Sequence, residues 1–294
     1  MTLDGAPPTA RRLEVGGGVG LHCLEWRADP AGDGARTPFL LVHGLASNCR
    51  TWEAVGGLLA AAGHPVVALD QRGHGRSDEP DGGYDFATLC NDLEAVLDAL
   101  DYGQAVVVGQ STGGNIAVDL ARRAGGRLAG VAGVDGGTIE LQQRWPRWED
   151  CAEVLAPPQL AGTPVDEIAG HLRRAHPDWD DWGIDATLAN LEVAADGTAR
   201  ARLLRDHHML VLRSLWEHRP SAVLPELDVP VLLVLADGGD AWSAGKRADA
   251  DRAAKLLRHG RVHWVSPADH DIHVQQPAKV AGFLVDAVVD GFWR

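Results

Sequence analysis

Short apolar runs recur along this chain, each ending on a polar or small residue. They are FLLV at 39–42 before His43-Gly44, PVVAL at 65–69 before Asp70, and AVVV at 105–108 before Gly109. LAGVAGV at 128–134 precedes Asp135, PVLLVL at 230–235 precedes Ala236, and RVHWV at 261–265 closes the series. Segments of helical period lie between them at 52–62, 86–100, 115–124, 244–257 and 278–289. Strands apolar on both faces, alternating with amphipathic helices, predict a mostly parallel α/β sheet flanked by helices on both sides. Sites in such sheets form beyond the carboxyl ends of the strands. Ahead of the series, 13–15 and 21–26 flank Gly16-Gly17-Gly18 and predict a hairpin, and a Pro/Gly/Asp-rich loop spans 28–38.

The alternation breaks once. From Thr138 to about Leu224 no apolar strand run occurs, only Pro-broken, helix-like pieces carrying Trp145, Trp148, Trp179, Trp182 and Trp216. This predicts an inserted helical cap at 138–224 within a core formed by 1–137 and 225–294. No internal repeat is visible.

The chain has 294 residues, 45% hydrophobic and 23% charged, enough for one large α/β domain with an insertion. Its formal charge of −14 would repel a phosphate backbone, so nucleic acid is not expected as a partner. Cys23, Cys49, Cys90 and Cys151 form no C-x-x-C pair and read as buried thiols in a reducing compartment. No secretory h-region and no membrane-length apolar run is present, so a soluble cytoplasmic protein is expected. The oligomeric state is left open.

The stretch VVVGQSTGGN at 106–115 carries the chemistry. A buried strand, a sharp turn with Gly109 and Gly113 around Ser111, and a helix in that order form a nucleophile elbow. The glycines are required because side chains there would strike the neighbouring strand and helix. Ser111 is then lifted out at a helix N-terminus, where free amides favour developing negative charge.

With that motif in place, the chain resembles α/β-hydrolase-fold proteins over nearly its whole length. The resemblance rests on HGLASN at 43–48, DQRGHGRSD at 70–78, GQSTGG at 109–114 and DHDIHVQQP at 269–277, in the family's order. It is specific for the fold and less so for the substrate. Gln110 departs from the histidine that many members carry there, a change expected to touch pocket polarity.

A serine hydroxyl needs a base to take its proton. The fold supplies this histidine after the last strand, which points to His270, with His273 as its rival. A His-x-x-His pair without a carboxylate or cysteine framework does not argue for metal. Two backbone amides are expected to hold the oxyanion, those of Leu45 and Thr112. His43 is expected to hydrogen-bond its loop, His74 to be structural, and Cys49, with no elbow around it, not to be a nucleophile.

The acid has two candidates. Asp240, in ADGGDAW after the strand at 230–235, needs a one-residue insertion to match the family's common spacing; Asp237 falls short. Asp135, in GVDGG, ends its strand directly, and resemblance to haloalkane dehalogenases and fungal lactonases of this fold implies an acid at that position. Asp135 is favoured and Asp240 is the alternative.

A serine at the elbow, where dehalogenases and epoxide hydrolases of the fold use aspartate, predicts hydrolysis of an ester, lactone or related acyl bond of an apolar small molecule. No cofactor or metal is needed. Trp148, Trp182 and His207 are expected to line the pocket. The alternatives are a non-catalytic ligand receptor and a cofactor-free lyase or acyltransferase on the same fold.

Overall fold

The computed structural model describes residues 7–28, 37–239 and 241–293. Most of the loop at 28–38, and Asp240, therefore lie outside the described residues. A hairpin, β1 (Thr9–Val15) and β2 (Val19–Trp26), opens the fold. Then β3 (Phe39–Val42), α1 (Glu53–Ala61), β4 (Val66–Leu69), α2 (Phe86–Ala99), β5 (Ala105–Gln110), α3 (Thr112–Ala124) and β6 (Leu128–Val134) alternate. The inserted stretch follows with α4 (Leu141–Arg144), α5 (Trp148–Leu155), β7 (Thr163–Pro164), α6 (Val165–Ala175), α7 (Asp181–Leu188), β8 (Leu191–Val193), β9 (Thr198–Ala201), α8 (Arg205–Glu217) and α9 (Pro220–Val223). The chain then returns to the sheet with β10 (Val231–Ala236), α10 (Ala241–Leu256), β11 (Gly260–Val265), α11 (Ile272–Gln275) and α12 (Pro277–Val289).

Eight strands form one sheet in the order β1-β2-β4-β3-β5-β6-β10-β11. The hairpin and its junction with β4 are antiparallel, and the remaining pairs are parallel. Along β5, Val107 faces a core built with α2 and α3, while Val106 and Val108 face a second core built with α1 and α12. Period-two alternation with both faces apolar is what a doubly covered sheet demands. Burying each such Val or Leu contributes roughly 1.5–3 kcal/mol.

Two expectations need correction. The elbow helix begins at Thr112 instead of Asn115. Gly113 and Gly114 look like breakers in sequence, yet they lie inside the helix because the backbone packs too closely there for side chains. The inserted stretch is not wholly helical: β7, β9 and β8 form a small antiparallel sheet, with Thr163 opposite Ala199 and Leu191 opposite Ala201. Its strands, TP, LEV and TARA, are only two to four residues long and mostly not buried, so no apolar run betrays them.

Candidate active site

The register of the parallel strands brings their carboxyl ends to one edge. Val42 is level with Gly109, Gln110 with Val134, and Val134 with Val234. The next residues of each strand therefore meet: the loop from His43, Ser111, and Asp135.

Ser111 sits at φ 52° and ψ −121°, in the left-handed half of backbone space. Such a conformation costs of order 1–3 kcal/mol in a residue with a side chain, and the packing around it enforces it. A Cβ on Gly113 would come within 2.5 and 2.6 Å of the Val42 and His43 carbonyl oxygens. One on Gly109 would meet the Gly113 backbone at 2.1 Å. The Ser111 amide donates to the Val134 carbonyl at 3.0 Å, which anchors the turn to β6.

Asp135 follows β6, and its side chain is almost fully buried. Its Oδ2 lies 2.6 Å from His270 Nδ1, and its Oδ1 accepts the Ala236 amide at 3.0 Å. Lys246, from α10, donates to Oδ1 at 2.9 Å and Oδ2 at 3.0 Å. Burial pushes the Asp135 carboxyl upward, but the His270 hydrogen bond, the neighbouring cations and the Ala236 amide outweigh it and hold the group below the ordinary carboxylate range. With the carboxylate on Nδ1, the neutral imidazole carries its proton there and leaves Nε2 as the lone-pair nitrogen. Burial disfavours the His270 cation, yet the Asp135 hydrogen bond and the charges of Asp271 and Asp135 raise its pKa above the usual histidine value, with Lys246 opposing them.

Ser111, Asp135, His270 and Lys246 line one cavity of about 650 Å³, within the range of small-molecule sites. Leu45 and Thr112 line it too. Among the described residues, neither of their amides donates a hydrogen bond within the chain. The inserted stretch supplies the opposite wall through Leu141, Trp145, Leu155, His208, Leu212 and Leu215. Asn48, fully buried in the loop after β3, ties this stretch to the core: its Nδ2 donates to the Ala186 carbonyl at 2.8 Å and to Asn190 Oδ1 at 2.6 Å.

A family model described as alpha/beta hydrolase fold matches residues 37–160. A non-heme chloroperoxidase of Streptomyces lividans is 40% identical over 93 residues, 31% of this chain and 34% of that protein. The structure superposes on E-2-(acetamidomethylene)succinate hydrolase with a TM-score of 0.76 at 20% identity, covering 96% of this chain and 99% of that one. It superposes on a thioesterase domain from the curacin biosynthetic pathway with a TM-score of 0.74 at 20% identity, covering 95% and 100%. The chain has the α/β-hydrolase fold. Its sequence matches to relatives span about a third of their length, from 29% to 44%.

Several expected residues of this α/β-hydrolase-fold chain do not line the cavity. Trp148 packs edge-on to Trp216, with the Arg213 guanidinium over both rings. His207 stacks on Tyr84 and shares a 3.0 Å hydrogen bond with its hydroxyl. Trp182 lies in α7, which packs on the 3₁₀ turn at Cys49–Trp52 away from the cavity. The cavity instead takes Trp145, at the end of α4, and His208, which follows His207 on α8. Gln110 does not touch pocket polarity either. It is buried, and its Nε2 donates to Asp271 Oδ1 at 3.2 Å, bridging the serine turn to the histidine loop.

Other histidines and cysteines of the chain are built into its packing. His43 accepts the Gln71 amide at Nε2 and hydrogen-bonds the Gly44 carbonyl through Nδ1. His74 accepts the Ala46 amide at 3.3 Å. His273 is fully buried against Trp52. All four cysteines are free and buried. His22, Cys49 and Asp70 offer three ligand atoms within 4.8 Å. Burial, then Asp70, pushes the Cys49 thiol well above its ordinary pKa, and Asp70 already accepts from His22 and from the Cys49 and Arg76 amides. The cluster is built as a hydrogen-bond hub joining the loops after β3 and β4. No described helix is long and apolar enough to cross a membrane.

Lys246 was missed in sequence. In a helix that also carries Arg247, Arg252 and Lys255, a lysine reads as solvated surface, and only the fold turns it onto Asp135.

Proposed function

We propose that this chain is a serine hydrolase that cleaves an ester, lactone or related acyl bond of an apolar small molecule. Ser111 attacks the carbonyl carbon while His270 Nε2 takes the hydroxyl proton. The carbonyl π electrons move to oxygen, and the Leu45 and Thr112 amides stabilise that oxyanion. Asp135 orients the imidazole and stabilises its cation. The imidazolium then gives its proton to the leaving alcohol. Water, deprotonated by His270, attacks the acyl carbon, and the imidazolium returns that proton to Ser111 Oγ as the acid leaves.

The observation that carries this reading is the 2.6 Å contact of His270 Nδ1 with Asp135 at the wall that Ser111 shares. The Leu45 and Thr112 amides, which have no hydrogen-bond partner among the described residues, support it. Structural neighbours named as a hydrolase and a thioesterase accord with acyl chemistry, although at 20% identity their likeness bears on fold. The inserted stretch acts as a cap, and its apolar side chains favour an apolar substrate.

The test combines a fluorophosphonate probe with a series of p-nitrophenyl esters. Labelling at Ser111 with ester turnover, both lost in Ser111→Ala, is the expected result. Labelling without turnover of any ester would favour a receptor or transferase instead.

A further inference from the structure

A second cavity of about 230 Å³ lies beside the first beneath the inserted stretch. His208 lines both cavities, and no other described residue does. The partition is thin elsewhere too. Leu45 lines the first cavity and its neighbour Ala46 the second; Leu155 lines the first and Pro157 the second.

The second cavity has little to offer a polar ligand. Leu160, Ile168, Leu172 and Leu191 supply much of its wall. The polar side chains there have partners within the protein, and Arg202, the one charged side chain among the described lining residues, is held through Nε on the Ala189 carbonyl at 3.2 Å. Asn190 Oδ1 accepts from Asn48 at 2.6 Å, and Thr187 Oγ1 donates to the Gly183 carbonyl at 2.9 Å. His74 is held between the Arg72 carbonyl and the Ala46 amide, and Ser47 pairs with Thr51. A polar group entering would lose its water without replacement, whereas a hydrocarbon chain would gain from burial. Among the described residues the His208 side chain has one hydrogen bond, a long contact of 3.4 Å from Nε2 to the Leu155 carbonyl.

We propose that this cavity is a second substrate chamber that takes the unbranched apolar tail of an acyl substrate, with the His208 side chain as the door between it and the cavity at Ser111. The proposal rests on the acyl-hydrolase reading for its substrate but not for its occupant. A carbonyl held near the Leu45 amide has its chain directed along the loop from Leu45 to Ser47, which walls first one cavity and then the other. The enzyme would then favour long straight acyl chains over short ones.

Leu172→Trp and Ile168→Trp each put an indole into the second chamber. In either variant the ratio of kcat/KM for p-nitrophenyl decanoate to that for the acetate should fall about tenfold or more. Equilibrium binding of 2-dodecanone, a neutral chain that needs no chemistry, is measured in parallel on the Ser111→Ala background, and its affinity should fall by a similar factor when Leu172→Trp is added. Were wild type to turn over no ester, the hydrolase reading would fail while the ketone still tests the chamber. An unchanged chain-length ratio together with unchanged ketone affinity, in variants with wild-type melting curves, would overturn the proposal. Should neither variant fold, a crystal structure of Ser111→Ala with 2-dodecanone decides: a chain past His208 supports the chamber, and a chain coiled wholly in the first cavity refutes it.

Discussion

Lys246 spans both carboxylate oxygens of Asp135, at 2.9 and 3.0 Å, while His270 holds one of them at 2.6 Å. The carboxylate is thus shared between a permanent cation and an imidazole whose charge varies. An Asp135 already compensated by Lys246 stabilises an imidazolium less than a lone aspartate would.

That sharing predicts a pH effect. His270 must be neutral to accept the serine proton, so kcat/KM should fall as pH drops through its raised pKa. Lys246 is the neighbouring charge that opposes this rise; Asp135 and Asp271 drive it. Lys246→Met should therefore move the acidic limb of the profile to higher pH, and Lys246→Arg should leave it near wild type. Profiles of the three purified proteins check this; a limb that stays in place in Lys246→Met excludes the tuning role.

Asp135→Asn should cost turnover about ten-thousandfold, because the amide leaves the imidazole in the wrong tautomer. Asp240→Asn, at the alternative position outside the described residues, should cost far less. Steady-state rates at pH 8, with melting curves alongside, compare the two directly. A dead Asp240→Asn beside an active Asp135→Asn would move the acid to the loop after β10.

His273 offers a test of stability. Both of its ring nitrogens are buried with no hydrogen-bond partner among the described residues, and burial drives its pKa down to about 3, so it is neutral at ordinary pH. An unsatisfied buried polar group costs about 1–3 kcal/mol. His273→Leu should therefore raise the melting temperature, by about 2–4 °C for each kcal/mol recovered. It should also retain ester turnover, which His270→Leu should lose. A lower melting temperature would mean that the ring contact with Trp52, tilted at 47°, outweighs the missing bonds.

Two glycines should respond in opposite directions to the same added methyl. Gly113→Ala drives a carbon against the carbonyl oxygens of β3 and its loop, neither of which can swing aside. A loss of about 3 kcal/mol or more is expected. Gly57, inside α1, has nothing within 4 Å of its added Cβ, so Gly57→Ala should stabilise by about 0.5–1 kcal/mol. Urea titration of both variants reads the contrast.

Elements that obey a period were legible before any coordinates. The strand at Leu128–Val134 was bounded to the residue, and the serine turn was readable because steric demand writes glycines at fixed offsets. Asp135 was readable as a candidate because it ends a strand. What escaped was whatever depends on rotation about a helix or on partners distant in sequence. His207 and His208 are adjacent on α8, but only the second meets the cavity. The pairing of β7, β8 and β9 rests on backbone bonds between short polar segments, which leave no pattern in side-chain chemistry.

Asn48 has a mechanical consequence. It belongs to the loop that carries the Leu45 amide, and its side chain is fastened to Ala186 and Asn190 of the inserted stretch. Roof and loop therefore form one hinge-less piece at that corner. Lifting the inserted stretch there would drag the loop and its Leu45 amide along with it, whereas cavity-lining residues outside these bonds, such as Glu140, could shift without disturbing that corner.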